Sequence, residues 1–386
     1  MPRSVLRFLA AEASAGIVLL AAAVVAFGWA NSAWGGSYRS LWHTTVGPGG
    51  AALPPDLGHW VNDALMAVFF FVVGLEVKQE LVQGRLRDRR TAALPAVAAL
   101  GGMVVPALLF TVVNLGGPGA RGWGIPMATD IAFAVGVVVV LGPAIPPSLK
   151  LFLLTLAVVD DIGAIVVIAA FYSSGVDLVY LAVAAVLVGV IVVAKRARVT
   201  RLAPYAVLGA ALWLATYRSG VHPTIAGVVL GLLTPAHGQA SPAQRLGHRL
   251  QPWSSFFVLP LFALANAGVA VRADVFDAPG VPAVAAGVVL GLVVGKAVGI
   301  AGAAWLATHT GLARLPDGTT WPMMVAASAV AGIGFTVSLF IAELAFAPGP
   351  LQEAARLGVL TASTLAAVVG GAALSRASRA AHGRGR

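Results

Sequence analysis

Long apolar segments separated by short loops limit the folds open to this chain more than any other feature. A helix needs about 20 residues to cross the hydrocarbon core of a bilayer, and twelve apolar segments approach or exceed that length. Only 10% of the 386 residues are charged, against about 25% in soluble domains, so a water-soluble fold would lack polar surface. We predict an all-α membrane protein of about twelve transmembrane helices, forming a single domain over residues 1–386. The predicted spans are 12–31, 59–80, 93–115, 123–141, 148–172, 177–194, 203–218, 222–235, 253–271, 281–308, 322–346 and 355–374.

Basic residues lie mostly on one side of these predicted spans. With the N-terminus in the cytoplasm, nineteen of the 25 Lys and Arg residues fall in cytoplasmic segments and five on the opposite side. Cytoplasmic loops carry an excess of Lys and Arg, so we predict that both termini are cytoplasmic. The net charge of +10 then reflects orientation and contact with anionic membrane lipid. Nucleic acid is not an expected partner, because the chain has no zinc-finger spacing, basic-aromatic stripe or glycine-rich phosphate loop. It also has no cysteine, which excludes disulfides and thiolate metal sites.

Four charged residues lie inside the predicted spans: Asp130, Asp160, Asp161 and Lys296. Each costs at least about 2.5–3.5 kcal/mol at the centre of a bilayer, so intramembrane charges usually serve a function. One alternative is a structural ion pair that locks two helices together. That alternative leaves the tandem acids unexplained, because one lysine cannot neutralise three carboxylates. Some of the carboxyl groups must therefore hold protons or bind a cation.

The tandem pair Asp160–Asp161 is the most informative of these features. Adjacent helical residues are about 100° apart, so the two side chains fan out from one face of the helix. Desolvation and like charge both oppose ionisation, which raises the proton affinity of neighbouring carboxyl groups. Once ionised, their oxygens are hard ligands that suit a small hard cation. One site can thus hold protons or a cation, and this competition predicts exchange of the two.

Two predicted spans are interrupted in the middle. Asp130 lies in 124–136 (GIPMATDIAFAVG), and the eleventh span contains a matching interruption in 328–338 (SAVAGIGFTVS). Paired interruptions in two halves of a secondary transporter predict discontinuous helices at a binding site. The N-termini of half-helices carry partial positive charge and the C-termini partial negative charge, so we expect Asp130 between facing N-termini and Lys296 near facing C-termini. Alternatively, these glycines serve only close helix packing.

The motifs together resemble the NhaA family of bacterial Na⁺/H⁺ antiporters, in family order and over nearly the whole chain. This family is one of the cases behind the rule on paired interruptions, so that rule is no independent support. The matching segments are 60–70 (WVNDALMAVFF), 73–78 (VGLEVK), 128–134 (ATDIAFA), 159–164 (VDDIGA), 219–222 (SGVH), 259–268 (LPLFALANAG), 295–296 (GK) and 332–336 (GIGFT).

The resemblance implies a fold, a function and a set of site residues. The fold would have twelve helices in two inverted-topology repeats, with crossing discontinuous helices at the fourth and eleventh positions. The function would be electrogenic Na⁺ (or Li⁺)/H⁺ antiport in the bacterial inner membrane for sodium and pH homeostasis, with no cofactor and with a homodimer left open. Asp161 matches the central cation-binding acid, Asp160 its neighbour and Lys296 the partner of Asp160 in a salt bridge. Thr129 and Asp130 match the unwound segment. The resemblance thus implies a cation- and proton-binding site of Asp160, Asp161, Asp130, Thr129 and Lys296, with Asp160, Asp161 and Thr129 as the Na⁺ ligands.

Other positions match the family only in part. A cytoplasmic funnel linked to pH activation would include Glu76, Lys78, Glu80, His248 and Arg249. The chain departs from well-known members beside these residues, at Gln79, Gly247 and Gln251, which leaves the pH set-point open. The loop 44–56 is rich in Gly and Pro where some members form a dimerising hairpin. Asp63 is expected to be structural, Glu343 to extend to the membrane interface, and His222 to be a hydrogen-bonded residue at a helix end.

Two other functional classes remain open at this stage. A symporter for an organic anion could use the same fold, with a roomier cavity and without the buried lysine. An intramembrane aspartyl protease would need two acids on different helices sharing a water, which a tandem pair on one helix does not supply. The chain is therefore expected to be a secondary transporter and not an enzyme.

Overall fold

The computed structural model describes residues 3–46, 53–173, 175–197, 199, 202–236, 241–271 and 277–383. Within these ranges all regular secondary structure is helical, and the only β-type pairing is an isolated bridge between Thr45 and Asp56. The dimerising hairpin considered for 44–56 falls partly outside the described residues. The helices are α1 (Arg3–Ala30), α2 (Gly35–Trp42), α3 (Leu57–Val82), α4 (Arg89–Val113), α5 (Ile131–Val140), α6 (Pro147–Phe171), α7 (Leu178–Arg196), α8 (Leu202–Arg218), α9 (Thr224–Leu233), α10 (Pro242–Trp253), α11 (Leu259–Asn266), α12 (Val281–His309), α13 (Trp321–Val330), α14 (Phe335–Ala345), α15 (Pro350–Leu365) and α16 (Gly371–Gly383).

The helix lengths confirm an all-α membrane protein but not the count of twelve spans. Seven helical segments of the described chain are long and apolar enough to cross a membrane, and two bent pairs raise the number to nine. The bent pairs are α1 with α2, at 115°, and α13 with α14, at 47°. The predicted seventh and eighth spans correspond to α8 and α9, which have 17 and 10 residues. The count of twelve, the inverted repeats and the single domain stay predictions.

The chain divides into two compact units. The first contains Met1–Ala33, Asp88–Ala164 and Asn266–Arg386, and the second contains Trp34–Arg87 and Ile165–Ala265. In the first unit, α4 and α12 approach closely because glycine faces glycine: a Cβ on Gly101 would stand 2.2 Å from the carbonyl oxygen of Gly299. Small residues at helix crossings are how membrane helices gain van der Waals contact without a hydrophobic driving force.

The second unit repeats this packing principle with other residues. Helices α3 and α9 cross at Gly74 and Gly227, where an added Cβ would stand 2.8 and 2.1 Å from backbone carbonyl oxygens of the facing helix. Beside this crossing, a cluster of buried apolar residues holds α7, α8 and α9 together. Its members are Ala184, Ile191, Leu212, Ala215 and Ala226.

Candidate functional site

All five predicted site residues belong to the first unit, and two breaks in helices position them. The first break is the extended segment 128–130, between a 3₁₀ helix (Ala120–Met127) and α5. The expected discontinuous fourth span is therefore present, with its first half wound as a 3₁₀ helix rather than an α-helix. The second break lies between Val330 and Phe335, where α13 ends and α14 begins.

The two breaks satisfy each other's backbone groups. The N–H of Asp130 donates to the carbonyl oxygen of Ile333 at 2.7 Å, and the hydroxyl of Thr129 donates to the carbonyl oxygen of Ala331 at 2.9 Å. An unsatisfied backbone group is costly where water is excluded, so neither break would be stable alone. The expectation that the two interruptions meet is confirmed.

Asp130 holds the N-termini of both half-helices. Its carboxylate accepts the N–H of Phe133 at 3.0 Å, which caps α5, and the N–H of Thr336 at 3.1 Å, in the first turn of α14. The Thr336 hydroxyl donates to the same carboxylate at 2.6 Å. Asp130 is only 2% exposed, so its negative charge offsets two partial positive helix ends in a dry environment. The predicted position between facing N-termini is confirmed.

Lys296 and Asp160 form a buried ion pair. The Nζ of Lys296 lies 2.7 Å from Oδ2 of Asp160, and the two side chains are 0% and 1% exposed. Lys296 follows a π-helical turn, Gly291–Gly295, within α12. Such turns change the direction of the next side chains and are frequent at functional sites. The structure thus brings together the lysine and the acid that the sequence paired.

The second oxygen of Asp160 is the unusual atom of the site. Oδ1 is buried and has no hydrogen-bond partner among the described residues, although the hydroxyl and N–H of Thr129 approach the carboxylate. Buried carboxylate oxygens almost always accept a hydrogen bond. A buried oxygen that accepts none therefore indicates either a ligand-binding position or local strain. Asp161, 6% exposed, acts electrostatically on Lys296. Asp160 thus contacts Lys296 directly and has Thr129 beside it, while Asp161 acts on Lys296 only through its charge.

The sequence singled out the segment 332–336 but assigned no role to Thr336. The structure places Thr336 opposite Asp130, as the donor of two hydrogen bonds to its carboxylate. Its position in the first turn of α14, directly after the second break, is the signal that could have identified it. The carbonyl oxygens of Ala331 and Ile333 were also missed, because backbone groups leave no trace in a sequence.

The predicted funnel residues lie on two helices of the second unit that pack together, α3 and α10. Glu76, Lys78 and Glu80 are partly buried on α3, while His248 and Arg249 are exposed on α10. Two of the departures from the family pattern also lie together. The Gln79 side chain donates to the carbonyl oxygen of Ala243, and a Cβ on Gly247 would stand 3.1 Å from Nε2 of Gln79.

Two uncertain residues now have partners. His222 contacts Thr224 through Nδ1 at 2.8 Å and Asp63 through Nε2 at 3.4 Å, both in the second unit, which agrees with a hydrogen-bonded residue at the start of α9. The expectation for Glu343 is wrong: its side chain does not extend to the interface but pairs with Arg356 and accepts a hydrogen bond from Gln352 at 3.2 Å. The two charged side chains are 12% and 18% exposed, and an arginine within reach stabilises the carboxylate better than a distant interface.

Comparison with known proteins gives the family. The model of the family described as Na⁺/H⁺ antiporter 1 matches residues 6–374. The chain belongs to the NhaA family. It is 49% identical to Na⁺/H⁺ antiporter NhaA 1 of Saccharopolyspora erythraea, with 96% of this chain and 91% of the relative covered. It is 46% identical to NhaA of Escherichia coli O157:H7, with 94% and 96% covered, and 44% identical to NhaA of Rhodopirellula baltica, with 94% and 92% covered.

Membership in the NhaA family settles the broad class. Its members are transporters and not enzymes, which agrees with the expectation from the buried charges. An antiporter implies transported ions in place of a bound cofactor, and the described residues contain no group of three or more His, Asp or Glu side chains suited to a resident metal ion. The candidate ligands for a transported cation are oxygens of Asp160, Asp161 and Thr129.

Proposed function

We propose that this chain exchanges Na⁺ or Li⁺ for protons across the bacterial inner membrane at the site formed by Asp160, Asp161, Thr129 and Lys296. The observation that carries the proposal is the buried Lys296–Asp160 pair, in which Oδ1 of Asp160 has no hydrogen-bond partner among the described residues. The same carboxylate can thus face the ammonium group or turn an oxygen to a cation. Thr129 supplies a neutral oxygen beside it.

Exchange follows from competition for the same oxygens. In the Na⁺-free state, Lys296 is protonated and paired with Asp160, and Asp161 holds a proton. An arriving Na⁺ takes oxygens of Asp160, Asp161 and Thr129, because hard carboxylate and hydroxyl oxygens suit a small cation. The proton of Asp161 leaves, and Lys296, having lost its partner in a dry site, sheds its own. Two protons then move against one Na⁺, so the cycle transfers one net charge and is electrogenic.

Asp130 has a different role in this proposal. Each described hydrogen bond of its carboxylate is accepted from a donor on α5 or α14, so both carboxylate oxygens are already engaged. It fixes the geometry of the two breaks and supplies the negative charge that their helix N-termini require. Asp130 therefore positions Thr129, its neighbour in the chain, against Asp160.

The remaining parts of the proposal concern the cell. The bias of basic residues supports an orientation with both termini in the cytoplasm. In that orientation the exchanger exports Na⁺ at the expense of the proton gradient and serves sodium and pH homeostasis. Protons compete with Na⁺ for the carboxylates, so the apparent affinity for Na⁺ should improve as the pH rises.

Substitution of Asp161 by Asn tests the proposed function. Asn keeps the size of the side chain but neither ionises nor carries a proton, so we expect no Na⁺-dependent collapse of a pH gradient in everted vesicles. The control is the melting temperature of the purified variant, which should stay near that of the unmodified protein. If Asp161→Asn still dissipates the gradient when Na⁺ is added, the assignment of the central ligand is wrong. A gradient that responds only when an organic anion is present would instead support the symporter alternative.

A further inference from the structure

A groove on the first unit contains none of the residues of the ion site. It runs between α13 and α16, has a volume of about 730 Å³ and is lined by Trp321, Val325, Ala329, Ala373, Arg376 and Ala377, among others. We call it the α13–α16 groove. Its walls are apolar except for Arg376, and Val325 within it is 49% exposed. A side of a membrane protein that exposes such residues faces lipid.

The groove has a closed end and an open end. Towards the second break the two helices touch: a Cβ on Gly370 would stand 2.7 Å from the backbone nitrogen of Val330, so nothing fits between them there. From Trp321 to Ala329 the α13 wall spans nine residues, whose eight steps correspond to about 12 Å of helix. That length accommodates the upper part of one acyl chain within a leaflet.

The open end of the groove favours an anion. Arg376 is exposed and has no described ion pair or hydrogen-bond partner among residues 3–46, 53–173, 175–197, 199, 202–236, 241–271 and 277–383. The N-terminus of α13 is beside it, with no side-chain cap and no acidic residue in its first turn. The partial positive charge of a helix N-terminus and an arginine guanidinium both bind phosphate oxygens. The nearest acid in the chain, Asp317, does not line the groove.

Aromatic residues place this open end at the membrane surface. The ring of Trp321 lies 6.5 Å from that of His309, which in turn lies 4.0 Å from Trp305 on α12. Trp residues concentrate at the level of the lipid headgroups, where one part of the ring is wet and the other is apolar. Arg376 lines the same groove as Trp321, and we infer that its long side chain reaches headgroup depth.

We propose that the α13–α16 groove binds an anionic phospholipid of the leaflet that faces the basic C-terminus. The phosphate would lie between Arg376 and the N-terminus of α13, and one acyl chain would lie along Val325, Ala329 and Ala373. Basic pockets between transmembrane helices are typical sites for anionic headgroups. A second copy of this chain fits less well, because α16 carries Arg376 and Arg379 without an acidic residue, and two copies would repel each other there.

Such a lipid would support the ion site from a distance. Helix α13 ends at the second break, where the carbonyl oxygen of Ala331 accepts the hydroxyl of Thr129. A lipid that clamps α13 against α16 therefore stabilises one side of that break. We expect bound anionic lipid to raise the melting temperature of the protein.

The test measures lipid binding directly, so it does not depend on the proposed exchange. Delipidated protein in detergent is titrated with phosphatidylglycerol or with phosphatidylcholine of the same chains, and bound lipid is counted by native mass spectrometry alongside the melting temperature. We expect phosphatidylglycerol to bind and stabilise more than phosphatidylcholine. Arg376→Gln should weaken phosphatidylglycerol about fivefold, the effect of one basic residue worth about 1 kcal/mol. Arg379→Gln, a matched change on the same helix outside the groove, should weaken it less than twofold.

A second variant separates the groove from surface charge. Ala377→Leu keeps every charge but fills the groove, and we expect it to lose the bound phosphatidylglycerol while Na⁺ exchange continues. If Ala377→Leu destabilises the protein even without lipid, the comparison of Arg376→Gln with Arg379→Gln still tests the proposal, because both arginines are exposed. Equal losses for Arg376→Gln and Arg379→Gln would overturn the proposal in favour of diffuse surface attraction. Equal binding of the two lipids, or a change in oligomeric state with unchanged lipid binding in Ala377→Leu, would overturn it as well.

Discussion

Replacing Lys296 by Gln tests the buried ion pair more sharply than any other single change. Lys296 and Asp160 are 0% and 1% exposed and 2.7 Å apart, so neither charge has water to replace its partner. Removing one partner of such a pair commonly costs about 3–5 kcal/mol, because the other charge is stranded. With at most about 2 °C lost per kcal/mol in a chain of this size, the melting temperature should fall by several degrees.

The loss should depend on pH in a defined direction. In Lys296→Gln the stranded group is the Asp160 carboxylate, which becomes neutral by taking up a proton. Proton uptake is easier at low pH, and each pH unit changes its free energy by about 1.4 kcal/mol. The difference in melting temperature from the unmodified protein should therefore be larger at pH 8 than at pH 5. A difference that is equal at both values would mean that Asp160 is not the stranded group.

A double variant provides the matched control. Asp160→Asn combined with Lys296→Gln leaves two neutral groups that can hydrogen-bond, and replacing both partners of a buried pair is often close to neutral. The double variant should therefore melt nearer to the unmodified protein than either single variant does. If the two single losses simply add, the residues do not interact in the resting state and the proposed pair is refuted.

Membrane current then distinguishes a proton carrier from a structural brace. Loss of stability with retained electrogenic exchange in Lys296→Gln would reject the carrier role and leave only the brace. A folded Lys296→Gln protein whose exchange has become electroneutral would support the carrier, because one of the two protons per Na⁺ is then missing. Both measurements are made on the same preparation, so a simple folding defect cannot be mistaken for a changed stoichiometry.

Three further changes test the surroundings of the site. Thr129→Ala removes one neutral oxygen, so we expect a higher apparent Km for Na⁺ with a smaller change in maximal rate; an unchanged Km would exclude Thr129 as a ligand. Thr336→Val removes the hydroxyl that donates to Asp130 at 2.6 Å. Losing a hydrogen bond to a buried charged group costs about 1.5–3 kcal/mol, so we expect a lower melting temperature. Thr336→Ser, which keeps the hydroxyl, is the control. Glu343→Gln should destabilise the protein by leaving Arg356 without its carboxylate, and a melting temperature equal to that of the unmodified protein would contradict the pairing.

Residue type and position in a hydrophobic span were enough to predict the charged part of the site. An ionisable group in hydrocarbon is costly, so Asp130, Asp160 and Lys296 could be assigned to a buried site before any contact was known. The pairing of Lys296 with Asp160 rather than with its neighbour could not come from position alone. Lys296 directly follows the π-helical turn Gly291–Gly295, and isolated Gly residues do not reveal such a turn.

The prediction for Glu343 was wrong because its partner lies on a neighbouring helix. A single carboxylate near the outer end of the eleventh span was expected to extend to the membrane interface. Its partner Arg356 lies on the next helix, α15, and Gln352 completes the arrangement from the same helix. Contacts between helices depend on crossing geometry, which apolar periodicity does not specify.

The two breaks explain why Asp130 has a structural role, whereas Asp160 and Asp161 are proposed to bind the transported ions. A broken helix leaves backbone donors at an N-terminus that water would satisfy elsewhere, and in a dry site only another protein group can do so. Asp130 meets that requirement for α5 and α14 together, at the cost of its own availability as a ligand. Thr129, one residue earlier, uses its hydroxyl to satisfy Ala331 and at the same time lies beside Asp160. The geometry of the breaks thus brings a neutral oxygen to the carboxylate of Asp160, whose Oδ1 has no hydrogen-bond partner among the described residues. We therefore expect a change that repairs either break to abolish Na⁺ binding even with Asp160 and Asp161 intact.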